Sequence, residues 1–222
     1  MARRNKTINL ALQGGGSHGA FSWGVLDALL EDGRLEFEAI SGTSAGAMNA
    51  VVLADGWARD GRDGARQALH DFWVAVSKKG RFSPVQRTPL DVFWGNWSLD
   101  YSPSYRFFDL MSRVFSPYDT NPLGINPLRD VVEEQIDFDR VKHNGAIKTF
   151  VSATNVWTGK VRVFDKAELT PDVVLASACL PTIFQAVEID GVPYWDGGFG
   201  GNPALFPFFY ETETQDCLLV QI

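Results

Sequence analysis

The sequence predicts an α/β domain with a mainly parallel central sheet flanked by helices, and two stretches carry most of that prediction. Ile8 to Leu12 is an apolar run that passes through Gly14-Gly15-Gly16 into a helix-like segment over 17–31. Phe37 to Ser41 repeats the plan, passing through Gly42 and Gly46 into a helix-like segment over 45–56. Short strand-to-helix connections of this kind favour parallel strands joined by right-handed crossovers. With 222 residues, 45% of them hydrophobic, the chain can bury a sizeable core. No stretch reads as a linker or an internal repeat, so a single domain over 1–222 is expected.

The later elements follow in order. Ala65 to Val76 reads as an amphipathic helix with Leu69, Phe72, Trp73 and Val76 on one face and His70 off it. From 82 to 118 the composition changes to an aromatic-rich insertion that includes Phe93, Trp94, Trp97, Tyr101, Tyr105, Phe107, Phe108 and Phe115. Aromatic rings with polar handles suit an apolar-to-wet boundary, such as a lid or a wall for an acyl chain. Burial as a helical subdomain, with Tyr105 to Phe115 as one helix, is the commoner fate of such residues. Beyond it lie a helix near 127–135, strands near 147–153 and 160–164, a helix near 171–178 and a strand near 217–222. That last strand reads as buried and stops abruptly, so the domain is expected to be C-terminally incomplete. Cys179 and Cys217 are expected to be packed thiols rather than a disulfide pair.

Composition excludes several functions. The net charge of −7 argues against a nucleic-acid surface. The three histidines and two cysteines have no metal-ligand spacing, and no carboxylate-rich calcium loop occurs, so neither metal nor cofactor is expected. The basic start, Met1 to Lys6, leads into a short strand rather than the apolar stretch of a signal peptide, and no transmembrane segment is evident. A cytoplasmic location is the resulting expectation.

Chemistry concentrates in three glycine-rich places. Ile40-Ser41-Gly42-Thr43-Ser44-Ala45-Gly46 has the pattern of a strand-turn-helix elbow, in which a strained serine leaves its Oγ exposed, and this nominates Ser44 as a nucleophile. The N–H groups of Gly14-Gly15-Gly16, at a helix N-terminus, can converge on a developing negative charge. Asp196, in Tyr194-Trp195-Asp196-Gly197-Gly198, sits in a tight turn where a carboxylate can be aimed. The glycine loop also satisfies dinucleotide-binding spacing, with Glu36 and Glu38 about 20 residues on. Those acids stand at the start of their strand, however, whereas a ribose-binding acid stands at the end. No histidine follows Asp196, so the base for Ser44 is either a carboxylate or a histidine in an unusual order, and Asp196 is the simpler choice.

Together with Ala176-Ser177-Ala178-Cys179-Leu180-Pro181-Thr182-Ile183-Phe184, these blocks resemble the patatin-like phospholipases, and the resemblance runs from about residue 8 to 203. It implies a patatin-like α/β fold and a serine lipid acyl hydrolase working through a Ser-Asp dyad. In this chain the implied nucleophile is Ser44, the base Asp196, and the oxyanion donors the amides of Gly14, Gly15 and Gly16. The implied partner is a lipid or ester substrate, met in solution or at a membrane surface. Gln13 and His18 depart from the family's loop, which often begins with Asp or Ser and carries Arg or Lys where His18 stands. His18, Trp94 and Trp97 are candidates for substrate contact. The alternative from another class is a catalytically idle lipid-binding module on the same fold.

Overall fold

Parallel pairing of β1 (Lys6–Leu12) with β2 (Leu35–Thr43) founds the sheet, Leu12 lying opposite Gly42. In the computed structural model, residues 5–80, 93–95, 106, 110, 115–144 and 146–222 are described. Five further strands complete a seven-stranded sheet: β3 (Lys148–Asn155), β4 (Val161–Phe164), β5 (Val187–Ile189), β6 (Val192–Asp196) and β7 (Cys217–Val220). The order is β5-β6-β3-β2-β1-β7, with β4 paired to β3 off this path.

The sheet is mixed. β7, β1, β2 and β3 run parallel, as expected, whereas β4, β5 and β6 enter through antiparallel pairings. The β5–β6 hairpin turns at Asp190-Gly191, both with positive φ, the geometry that a two-residue hairpin loop requires. This hairpin sets Asp196 at the end of β6, opposite Ala153 of β3.

The helices placed within the described residues are α1 (Gly19–Asp32), α2 (Ala45–Gly80), α3 (Pro117–Thr120), α4 (Leu128–Gln135), α5 (Phe138–Asn144), α6 (Pro171–Ser177) and α7 (Phe206–Glu211). The two helices expected over 45–56 and 65–76 join in α2, which breaks at Asp60 and Gly61, where the dihedrals leave the helical region. Thr170 caps α6 by accepting from Val173 N–H, and Pro171 fits the first turn, where no intrahelical partner is needed. Successive strand residues face opposite sides. Leu10, Leu12, Ile40 and Val151 enter a large core with Leu26 and Leu30 of α1 and the inner face of α2. Ala11, Ala39 and Phe150 form a small cluster on the other side under Phe208 of α7.

The C-terminal strand departs from expectation. β7 pairs only with β1 at the sheet edge, so Cys217 is exposed and only Val220 of the strand is buried. Cys179 is a fully buried thiol, as expected. Much of the aromatic insertion, Trp97 and most of the expected helix over 105–115 included, lies outside the described residues. Its described members Phe93, Trp94, Phe115 and Tyr118 are exposed rather than core. Among the described residues no helix is long and apolar enough to cross a membrane.

Candidate active site

Because β1 and β2 end side by side, the loops that leave them meet at the carboxyl edge of the sheet. Gly46, in the first turn of α2, lies against the Leu12 carbonyl so closely that a Cβ there would collide with it. Gly14 lies on the elbow itself: a Cβ at this position would stand 2.5 Å from Thr43 O and 2.6 Å from Ser44 Cβ. Both positions therefore admit only glycine without a shift of backbone.

Ser44 has φ 55, a left-handed conformation that costs a non-glycine residue on the order of 1–3 kcal/mol unless its surroundings hold it. Buried hydroxyls hold it. Ser44 N–H donates to Ser177 Oγ at 2.8 Å, and the Ser177 hydroxyl donates in turn to Ser152 O at 2.7 Å. Thr43 Oγ1 donates its single proton to Gly201 O at 2.9 Å, so in its 2.5 Å contact with Ser152 Oγ the serine is the donor. Ser152, Ser177 and Thr43 thereby tie the elbow to β3, to α6 and to the turn after β6.

Asp196 is 5% exposed. Its N–H donates to Cys179 O at 2.8 Å and its carbonyl accepts from Thr154 Oγ1 at 2.9 Å. One carboxylate oxygen, Oδ1, accepts from Gly198 N–H at 2.7 Å. Burial pushes the carboxyl above the ordinary aspartate range, while hydrogen bonds from Gly198 N–H and the Ser44 side chain pull the other way, and burial prevails. The neighbouring Cys179 thiol is pushed up to about 12, chiefly by burial, which keeps it protonated and unreactive.

Ser44 and Asp196 line one cavity of about 600 Å³. Gly14, Gly15, Gly16, Ser17 and Asn202 form its polar rim, and Met48, Phe72, Trp73, Val76, Leu128, Leu180 and Phe184 form an apolar wall. None of the three histidines lines it. His18 is exposed on the 3-10 turn Gly16–His18, its Nδ1 donating to Gly15 O at 3.1 Å. His70 stands beside Trp23 and Asp71, and the His143 Nδ1 donates to Asp139 O. Trp94 is also absent from the lining and is 74% exposed.

One of the three expected oxyanion donors is already engaged. Gly14 N–H is not free to serve an oxyanion, because it donates to Asn202 Oδ1 at 2.6 Å. The N–H groups of Gly15 and Gly16 have no acceptor among the described residues. The dinucleotide reading of the same loop fails on geometry. Glu36 pairs beside Thr7, at the opposite end of the sheet from Gly14, and bonds Arg62 and Asn5. Glu38 accepts from Lys148 and from the Glu213 and Thr214 amides.

The sequence profile of the patatin-like phospholipases matches residues 10–209, which takes in the glycine loop, the elbow and the Asp196 turn. The chain belongs to the patatin-like phospholipase family. Among solved structures, this patatin-like chain is similar to VipD from Legionella pneumophila, at 18% identity over 97% of this chain and 49% of that one, with a TM-score of 0.49. It is also similar to a chain of the heterodimeric ExoU-SpcU complex from the type III secretion system of Pseudomonas aeruginosa. There the identity is 19% over 80% of this chain and 37% of that one, with a TM-score of 0.39. The patatin-like chain thus spans half or less of the length of these neighbours. No curated protein matches it significantly.

Several residues of this patatin-like site carried little sequence signal. Ser177 stands in the Ala-Ser block before Pro181 and Asn202 in the run after Asp196, yet neither pattern says what the side chain touches. The wall residues Phe72, Trp73 and Val76 read in sequence only as the inner face of a helix.

Proposed function

We propose that this chain is a serine lipid acyl hydrolase that cleaves carboxylic esters of lipids through an acyl-enzyme on Ser44. The observation that carries the reading is the pairing of Ser44 with the buried Asp196 carboxyl in a cavity lined by both the glycine loop and large apolar side chains. Asp196 accepts the Ser44 proton as Oγ attacks the acyl carbonyl. Its carboxylate, raised by burial, is a stronger base than an exposed aspartate, which brings it nearer the operating pH. The bond from Gly198 N–H fixes its orientation.

The tetrahedral oxyanion then falls to the amides of Gly15 and Gly16, at a helix start where backbone dipoles favour negative charge. The protonated Asp196 returns its proton to the leaving alcohol oxygen as the ester C–O bond breaks. Water gives a proton to Asp196 as its oxygen attacks the acyl carbon, and the bond from that carbon to Ser44 Oγ then breaks as Asp196 returns the proton to Oγ, freeing the carboxylic acid and the resting serine. The Met48, Phe72, Trp73, Val76, Leu128, Leu180 and Phe184 wall suits an acyl chain.

Hydrolysis of short-chain nitrophenyl esters by the wild type and by Ser44→Ala tests this. The mutant is expected to keep its fold and lose activity, since the change removes one half-buried hydroxyl and no core packing. A well-folded mutant that turns over ester like the wild type would overturn the proposal, and an inert wild type would favour the idle lipid-binding module.

A further inference from the structure

We infer that Asn202 is a positioning residue that clamps the glycine loop against the nucleophile, an inference that rests on the hydrolase reading above. Its carboxamide meets the Gly14 peptide at two points: Oδ1 accepts from Gly14 N–H at 2.6 Å and Nδ2 donates to Gly14 O at 3.2 Å. A peptide offers one donor and one acceptor, so only one orientation of the amide satisfies both. The pairing joins residues 188 positions apart, and Asn202 is exposed. Side-chain packing therefore does not account for it.

The backbone that carries Asn202 is itself fixed. Gly200 N–H and Gly201 N–H both donate to Gly197 O, at 3.0 and 2.9 Å, and Gly201 O accepts from Thr43 Oγ1. Thr43 is the residue before the nucleophile. On its other side Gly14 abuts Thr43 O and Ser44 Cβ. A closed ring results, running from Ser44 through Gly14 and Asn202 to the Asp196 turn and back through Gly201 and Thr43. The turn that holds the base and the loop that supplies the oxyanion amides are in this way one unit. Their spacing is set by Asn202.

Gly14 immediately precedes Gly15 and Gly16, which line the cavity and whose amides have no acceptor among the described residues. A loop of consecutive glycines has the greatest backbone freedom of any sequence, and here a single clamp at Gly14 removes it on one side while the 3-10 turn Gly16–His18 removes it on the other. An aspartate would be a poor substitute at 202. It keeps the acceptor, loses the donor, and adds a negative charge beside the place where the oxyanion develops.

The test compares wild type, Asn202→Ala and Asn202→Asp for kcat and KM on a butyryl nitrophenyl ester. The rate of labelling of Ser44 by a fluorophosphonate and the thermal melt are measured alongside. Misplacing a catalytic group by about an ångström costs on the order of a hundredfold. Asn202→Ala is therefore expected to lower kcat by about ten- to a hundredfold, with KM within about twofold, and to slow labelling in step. Asn202→Asp is expected to fall at least as far. A role in folding alone would shift the melt and leave kcat of the folded fraction unchanged, and that result overturns the inference. So does a loss confined to KM. Should Asn202→Ala melt early, the uncharged and nearly isosteric Asn202→Leu, which can make neither bond to Gly14, supplies the same comparison. Failure of the wild type to label at Ser44 would instead refute the hydrolase reading, and the clamp with it.

Discussion

Ser177 Oγ accepts the backbone N–H of Ser44 at 2.8 Å, so the strained residue at the elbow is held by a side chain from a helix 133 positions away in sequence. The same hydroxyl donates to Ser152 O, and Ser177 is fully buried. Ser177→Ala removes both bonds and leaves a donor and an acceptor without partners. The Ser152 bond is buried and the Ser44 bond only partly so, so the loss is dominated by one stranded buried group, at about 1–3 kcal/mol. For a domain of this size that corresponds to a melting temperature lower by roughly 2–12 °C. We expect this loss together with a fall in kcat, because the left-handed conformation of Ser44 loses its support. Circular dichroism melts and ester kinetics on one preparation check both.

Asp196 makes stability and activity run in opposite directions with pH. Burial raises its folded-state pKa above the ordinary aspartate value of about 3.9. Between that value and the raised one the folded protein binds more protons than the unfolded chain, so stability falls as pH rises through this window and stays lower above it. Base catalysis needs the ionised form, so kcat/KM rises over the same window. The acid limb is expected to have its midpoint above 3.9. Asp196→Asn is expected to lower activity by on the order of a hundredfold or more, since an amide cannot take the serine proton. It should also melt higher than wild type at neutral pH, with an advantage that shrinks as pH falls through the window. A neutral-pH melt below wild type would contradict the burial account.

The apolar wall predicts acyl-chain selectivity. Val76 and Leu128 are half-buried and line the cavity. Each acyl methylene buried there is worth about 0.8 kcal/mol, or roughly fourfold in binding. Leu128→Trp fills part of the space. If it excludes two methylenes, kcat/KM for a dodecanoyl ester should drop by about fifteenfold, while an acetyl ester is hardly affected. An ester series measured on wild type and mutant shows whether the preference flattens.

The sequence made the glycine loop and the elbow legible because each joins an apolar strand to a helix through residues adjacent in the chain. What it hid arises between distant segments. Gly14 reads as an oxyanion donor until its N–H is seen bonded to Asn202. The apolar run at 217–222 reads as a buried strand, but edge placement, which no local pattern encodes, leaves Cys217 and Leu219 exposed. Asp190-Gly191, flanked by Val187, Ile189 and Val192, did carry a hairpin signal. That hairpin is what delivers Asp196 to Ser44.

Fluorophosphonate labelling followed by mass spectrometry of the modified peptide tests the central claim most directly, because the reagent reports an activated serine without assuming any lipid. Wild type should carry one adduct, on Ser44, and Ser44→Ala none. Asp196→Asn should label much more slowly while remaining folded. Absence of label on the folded wild type, or an adduct on another serine that survives Ser44→Ala, would contradict a nucleophile at Ser44.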